Sequence, residues 1–234
     1  MTIAILTLFP DMVQTVFNTS MLKRAQADGA IQLVVHDLRQ WGSGIHQNVD
    51  DTPYGGGAGM LLRVDVIDAA LKELNPDGKL RTVLMTPQGR PFTQAIARTM
   101  ADSDQDVLLI AGHYEGFDER IRALVDDELS VGDVVVTGGE LPALIVTDAI
   151  TRLLPNALGS QESVTEESFS LTEGSKLLLE YPHYTRPDRY TPVSKPLGEL
   201  SVPEVLKSGN HAAIAAWRHQ QALDKTRARR PDLL

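Results

Sequence analysis

Apolar positions fall into two rhythms along this chain. Short unbroken runs, TIAILTLF (2–9), IQLVVHDL (31–38), RTVLMTP (81–87), DVLLIAG (106–112) and DVVVT (133–137), have the aliphatic and β-branched make-up of strands buried on both faces. Between them, apolar residues recur at helical spacing. PDMVQTVFNTSMLKRAQADG opens on Pro10 and closes at Gly29, and FTQAIARTMAD and ERIRALVDD are amphipathic. This alternation predicts an α/β fold with a mostly parallel sheet covered on both faces. After about residue 160 the rhythm stops. QESVTEESFSLTEGS keeps no period and predicts an interdomain linker over 161–175, and Pro182, Pro187, Pro192, Pro196 and Pro203 then punctuate an irregular stretch. SGNHAAIAAWRHQQALDKTRARR predicts a helix capped by Asn210 and ending in basic residues, as the helix dipole favours. The expected organisation is an α/β domain over 1–160 and a small helical domain over 176–234.

Composition narrows the chemistry. A chain of 234 residues that is 42% hydrophobic can bury one large core or two small ones. The absence of cysteine excludes disulfides, thiolate nucleophiles and Cys-ligated metals. MTIAILTLFPDM has no basic leader and no small-residue cleavage site, and no apolar stretch nears the ~20 residues of a membrane span, so the expectation is a cytoplasmic protein with no membrane partner. The net charge of −9 is unevenly spread: residues 176–234 carry ten Lys and Arg against six Asp and Glu, and the rest carry 12 against 25. A basic tail on an acidic body points to a polyanion as partner.

The glycines come next. DDTPYGGGAGML (50–61) packs four glycines into five positions, yet it lacks the Lys and Ser or Thr of a P-loop and the glycine spacing of a dinucleotide-binding turn. Three predicted strands also run into glycine-bearing turns, TPQGR (86–90), AGHYEGFDER (111–120) and VVVTGGELPALIVTDAI (134–150). Each alone could merely stop a strand. Together, at the carboxyl ends of strands in an open α/β sheet, they predict one ligand pocket. It would offer backbone donors and Glu115, Glu119 and Glu140, but only the isolated cations Arg90 and Arg120, which suits an uncharged or zwitterionic adenosine ligand better than a triphosphate.

DDTPYGGGAGML, TPQGR, GHYEGFDERI, SVGDVVVTGGELPALIVTDAITR, PHYTRP, LKSGNHAAIAAWR and RARRPDLL, in this order, resemble the bacterial tRNA (guanine-N1)-methyltransferases of the trefoil-knot (SPOUT) class. The resemblance runs from the first strand to the last residue. It implies a homodimer in which the α/β domain is tied in a knot and a small helical domain binds tRNA. It implies that S-adenosylmethionine is held by Thr86, Pro87, Gln88 and Gly89, by Gly112, Tyr114, Glu115 and Gly116, and by Val131, Gly132, Val134, Val136, Gly138, Gly139 and Pro142. The implied reaction is methyl transfer to N1 of the guanosine just 3′ of the anticodon, position 37, when another guanosine precedes it. Arg152 would stabilise the base and Glu167 would be the general base, while Asp50, Gly59, His183, Tyr184, Arg186, Lys207, Asn210 and Arg218 would contact tRNA. Mg²⁺ is a further family expectation, for which the sequence shows no ligand cluster.

Some positions depart from the family pattern. Glu167 stands where the family has Asp, with Glu166 beside it, and His113 and Val134 replace a common Arg and a common aromatic. Without the resemblance, Arg152 is simply four residues after Asp148 on a helix, a pair worth ~0.5 kcal/mol. Two rival functions follow: methylation of another RNA position, or a tRNA-binding relative that has lost catalysis through the Asp-to-Glu change.

Overall fold

The apolar runs of the first half become strands, and their alternation sorts two cores. In this computed structural model, which describes residues 1–103, 105–157, 166–174 and 176–234, the chain divides into two units, Met1–Gly159 and Ser160–Leu234. The first unit runs β1 (Thr2–Thr7), α1 (Pro10–Phe17), α2 (Ser20–Ala27), β2 (Gln32–Asp37), β3 (Asp50–Asp51), β4 (Leu61–Leu62), α3 (Val64–Leu74), β5 (Arg81–Pro91), α4 (Gln94–Asp102), β6 (Val107–Ala111), β7 (Asp127–Ser130) and α5 (Glu140–Thr151). Five strands form one parallel sheet in the order β2-β1-β6-β5-β7. Ile3, Ile5, Val83 and Leu109 point into a core with Val13, Phe17, Ala97 and Val146. Their sequence neighbours Ala4, Leu6, Leu84 and Leu108 enter a second core with Ile67, Ala70 and Leu71. Both sheet faces are therefore covered, which is why these strands read as unbroken apolar runs.

Three expectations are corrected. The helix expected from Pro10 to Gly29 is two helices, broken where Ser20 takes a φ of 48°. Phe17 and Leu22 are both buried, and a step of five residues swings about 140° around a helix, so one straight helix could not send both inward. ERIRALVDD forms a short 3-10 turn, Glu119–Leu124, with Ile121 its one fully buried residue. DVVVT is not a strand: Gly132 turns at φ 144° and leaves Val134, Val135 and Val136 exposed. The fifth strand is instead the polar stretch DELS, β7, tied to β5 by charge. Asp127 accepts from Arg81 at 2.8 Å and from Arg90 at 2.5 Å, and these guanidinium groups, Arg90 foremost, hold its carboxyl below the usual range. Helix α3 has no counterpart among the helices expected from the apolar spacing.

That clamp shapes β5. Met85 and Arg90 both register on Leu129 of β7, so residues 86–89 are looped out of the ladder. Gly89 turns back so closely that a Cβ there would sit 2.5 Å from Leu129 N.

In the second unit β8 (Thr172–Glu173) pairs with β9 (Lys176–Leu177) and β10 (Arg189–Tyr190) with β11 (Leu200–Ser201), before α6 (Glu204–Lys207) and α7 (His211–Arg229). Of the expected linker 161–175, residues 161–165 and 175 lie outside the described residues, and 166–174 hold a turn and β8. The core is small: Leu178, Tyr181 and Ala222, with Leu171, Leu223 and Leu234 against them. Thr226 on α7 accepts the Leu179 N–H at 2.8 Å, and Lys225 donates to the Glu180 carbonyl at 2.8 Å. Among the described residues no helix is long and apolar enough to cross a membrane.

Candidate active site

The three glycine turns meet on one open cleft beyond the carboxyl ends of β5, β6 and β7. Of the residues assigned to the donor, all but Gln88, Gly89 and Gly132 line it. Those three lie just outside: Gln88 accepts from Arg122, Gly89 closes the looped-out segment of β5, and Gly132 makes the turn after β7. The cleft is also lined by Met85, His113, Phe117, Leu129, Ser130, Val135 and Thr137. Of these, Leu129 and Ser130 were missed because they sit on the strand that polar DELS concealed.

The walls are largely main chain. Gly139 N–H donates to the Gly112 carbonyl at 2.7 Å, and a Cβ at residue 139 would lie 2.7 Å from Gly112 N and 2.8 Å from Ala111 Cα. A Cβ on Gly112 would in turn fall onto the Phe117 ring. Two turns thus touch backbone to backbone, which only glycine allows. Tyr114, with its φ of 61°, holds a conformation that L-residues avoid, the kind of local strain that gathers at functional sites. Glu115 is the one carboxylate on the lining, which carries no Lys or Arg. A helix, α5, begins at the rim with Gly139 as its N-cap.

The glycine-rich segment is a hairpin laid on this cleft. Asp50 and Asp51 of β3 pair with Leu62 and Leu61 of β4, and Gly55, Gly56, Gly57 and Gly59 all take positive φ. Beyond the pair, Glu115 N–H donates to Met60 O at 3.1 Å, Leu62 N–H to Gly116 O at 2.9 Å and Asp118 N–H to Leu62 O at 3.0 Å. Gly59 lies so near Glu115 that a Cβ would run into that side chain. Asp50 sits in the hairpin ladder, away from the cleft lining. At the end of the turn, Arg120 holds the Asp118 carboxyl down to about 2, largely through their hydrogen bonds.

The two residues assigned to chemistry fall in different units. Arg152 is half-buried at the C-cap of α5, with its backbone N–H on Asp148 O at 3.1 Å. Glu167 opens a turn in the second unit, where its carbonyl accepts from Ser170 N at 3.1 Å, and its Oε1 is buried. Its neighbour Glu166 is engaged differently: Oε2 accepts from the Tyr181 hydroxyl at 2.6 Å. Burial, and then that carboxylate, raise the Tyr181 hydroxyl above its ordinary range.

Apart from Asp50 and Gly59, the residues expected to meet tRNA are spread over the second unit. Arg218 lies 4.8 Å over the Tyr181 ring and lines a small cavity with Glu166 and His219. His183 Nε2 is 2.7 Å from Glu180, and the exposed Tyr184 ring is 6.4 Å from Trp217. Arg186 is exposed, and Lys207 pairs with Glu204 at 2.6 Å. Asn210 caps α7, accepting the Ala213 N–H at 3.1 Å. Among the described residues no three His, Cys, Asp or Glu side chains gather to hold a metal ion.

Comparison with known proteins matches the chain to a family. The profile described as tRNA (Guanine-1)-methyltransferase TrmD matches residues 1–234. The chain is 50% identical over 235 residues to a tRNA (guanine-N(1)-)-methyltransferase of Staphylococcus epidermidis strain RP62A, covering 100% of this chain and 91% of that one. It is 46% identical over 238 residues to the protein of that name from Moorella thermoacetica, covering 100% and 90%. With the Bacillus cereus AH820 protein it shares 48% identity over 237 residues, covering 100% and 92%. From end to end, the chain belongs to the tRNA (guanine-1)-methyltransferase TrmD family.

Proposed function

We propose that this chain transfers a methyl group from S-adenosylmethionine to N1 of guanosine 37 of tRNA, just 3′ of the anticodon, where another guanosine precedes it. The observation that carries the reading is the convergence of three separate glycine turns on one cleft, in a chain that matches the family along its whole length. The lining fits the donor: main-chain groups and aliphatic side chains suit a heterocycle, and the shortage of cations disfavours a triphosphate. Thr86, Pro87, Gly112, Tyr114, Glu115, Gly116, Val131, Val134, Val136, Gly138, Gly139 and Pro142 would hold it, with Gln88, Gly89 and Gly132 shaping the turns. In this reading the α/β part is threaded as the family's knot.

The donor supplies an electrophilic methyl group on a sulfonium sulfur. The protein supplies the rest. Guanine N1 carries a proton at neutral pH and becomes nucleophilic as that proton leaves, so the site needs a base at N1 and a cation at the carbonyl oxygen. Glu167 takes the proton and Arg152 offsets the charge. A glutamate has an intrinsic pKa only about 0.4 above that of aspartate, so the Asp-to-Glu change preserves the chemistry wherever the loop accommodates one more methylene. Glu166 is already committed to Tyr181, which favours Glu167 as the base.

A homodimer is supported by an apolar surface on the first unit, where Met12 and Val16 of α1 and Leu141 and Ile145 of α5 stay exposed. Contacts to tRNA phosphates fall to Lys207, Arg218, Arg227, Arg229 and Arg230. Several of these are held in exposed ion pairs, which contribute at most about 1 kcal/mol and are readily exchanged for phosphate. The test is methylation of a tRNA transcript with guanosine at both positions, the product mapped by nuclease digestion and mass spectrometry. N1-methylguanosine at position 37 is expected. Methylation elsewhere, or tRNA binding with no transfer, overturns the reading in favour of one or other rival. A sedimentation experiment that finds an active monomer overturns the dimer.

A further inference from the structure

Behind the donor cleft lies a buried carboxylate that the reaction does not use. Glu140 opens α5 and is 3% exposed. Its Oε1 accepts the Thr7 hydroxyl at 2.8 Å, and Thr7 Oγ1 accepts the Phe9 N–H at 2.9 Å. The Phe9 ring packs on the His113 ring, 4.7 Å between centroids, and His113 Nδ1 faces Glu140 Oε2 at 3.9 Å. The contacts close into a circuit: Phe9, Thr7, Glu140, His113 and back to Phe9.

Two features make this circuit more than packing. His113 Nδ1 is buried with no hydrogen-bond partner among the described residues, and the acceptor it faces is less than an ångström beyond hydrogen-bond range. Gly138 lies between them, and a Cβ there would fall onto Glu140 Oε2 and come within 2.6 Å of His113 Nδ1. A neutral imidazole carries one ring proton, and a buried carboxylate beside Nδ1 fixes it there. Nε2 is then left as an acceptor. His113 lines the cleft, and its side chain as a whole stays 25% exposed although Nδ1 is buried.

We infer that Glu140 and His113 form a positioning pair for the methyl donor, in which Glu140 holds the imidazole proton on Nδ1 so that Nε2 accepts a hydrogen bond from a donor hydroxyl or ammonium group. This rests on the assignment of the cleft to S-adenosylmethionine. His113 is the contact and Glu140 acts through it.

The experiment measures binding of S-adenosylhomocysteine by calorimetry, together with steady-state constants and thermal stability, in the full-length protein. His113→Asn keeps an N–H for Glu140 but removes Nε2. Glu140→Gln keeps an acceptor for Thr7 but presents an N–H to Nδ1, which moves the imidazole proton to Nε2. Each single variant is expected to weaken binding and raise the donor KM about tenfold, with kcat within about threefold and Tm within a few degrees. The double variant is expected to be no worse than either single, because both remove the same acceptor. A merely structural pair would lower Tm and the active fraction while leaving donor affinity unchanged, and that result overturns the inference, as do additive losses in the double variant. Binding of 5′-methylthioadenosine, which lacks the ammonium, separates the two ligand groups: a loss that persists assigns the ribose hydroxyls and one that vanishes assigns the ammonium. Failure of the unaltered protein to bind S-adenosylhomocysteine at all is a different outcome, which overturns the cleft assignment and the pair with it.

Discussion

In the first unit the candidate donor cleft is walled by backbone laid against backbone, with Gly112 against Gly139 and a hairpin hydrogen-bonded along the turn at 115–118. In the second unit the residues assigned to tRNA are side chains on the surface, several of them in exposed ion pairs, over a small apolar core built on Leu178, Tyr181 and Ala222. The difference teaches where each kind of specificity resides. A small ligand of fixed shape can be met by rigid main chain, whereas a long polyanion is met by charges free to exchange partners.

The largest expected effect falls on the residues proposed for the chemistry. Glu167→Gln should reduce the single-turnover rate on the order of 10³-fold, while S-adenosylhomocysteine and tRNA binding persist, and Arg152→Ala should do nearly as much. Glu166→Gln should leave the rate within a few fold. A reversal of the two glutamates in rapid-quench assays would show that the wrong carboxylate has been assigned. Next comes Gly139→Ala, whose methyl group has no room beside Gly112 N. Donor affinity should fall about 10²-fold with a lower Tm, since overpacking costs roughly 1–3 kcal/mol; calorimetry showing normal binding would contradict the backbone wall. Salt should divide the units. Raising it from about 50 to 200 mM should weaken tRNA binding on the order of 10²-fold by counterion release and leave donor binding nearly unchanged. Equal salt dependence of both would erase the contrast.

The smallest effect concerns the turn carrying the cleft. Asp118 has its carboxyl held at about 2, chiefly by Arg120, against an ordinary value of 3.8. A depressed folded value means the contribution to stability is complete above about 3.8 and disappears as pH falls through about 2. Thermal unfolding between pH 5 and 2 should therefore show a shallower acid decline for Asp118→Asn than for the unaltered chain.

Legibility in the sequence followed burial. Four of the five sheet strands are apolar because both their faces are covered, and each was found. The fifth was misplaced because β-branched DVVVT looks like a strand and DELS does not, although Asp127 and its two arginines supply what apolar residues supply elsewhere. The glycine turns were legible as turns. Their meeting was foreseen only from the rule that ligands gather at strand ends, and the closeness of Gly112 to Gly139 depends on packing of segments 27 residues apart. The pairing of His113 with Glu140 was invisible for the same reason. Asn210 was expected both to cap α7 and to contact tRNA; the structure shows the cap.

The double registration of Leu129 on Met85 and Arg90 leads to one more consequence. A strand held on both flanks while residues 86–89 leave the ladder should report two lifetimes to solvent along one continuous segment. Amide protons of 83–85 should exchange with deuterium only on opening of the whole sheet, whereas those of Gln88 and Gly89 should exchange early, with Arg90 marking the return to protection. The donor loop would then be free to adjust on the timescale of ligand encounter without unzipping the strand that carries it.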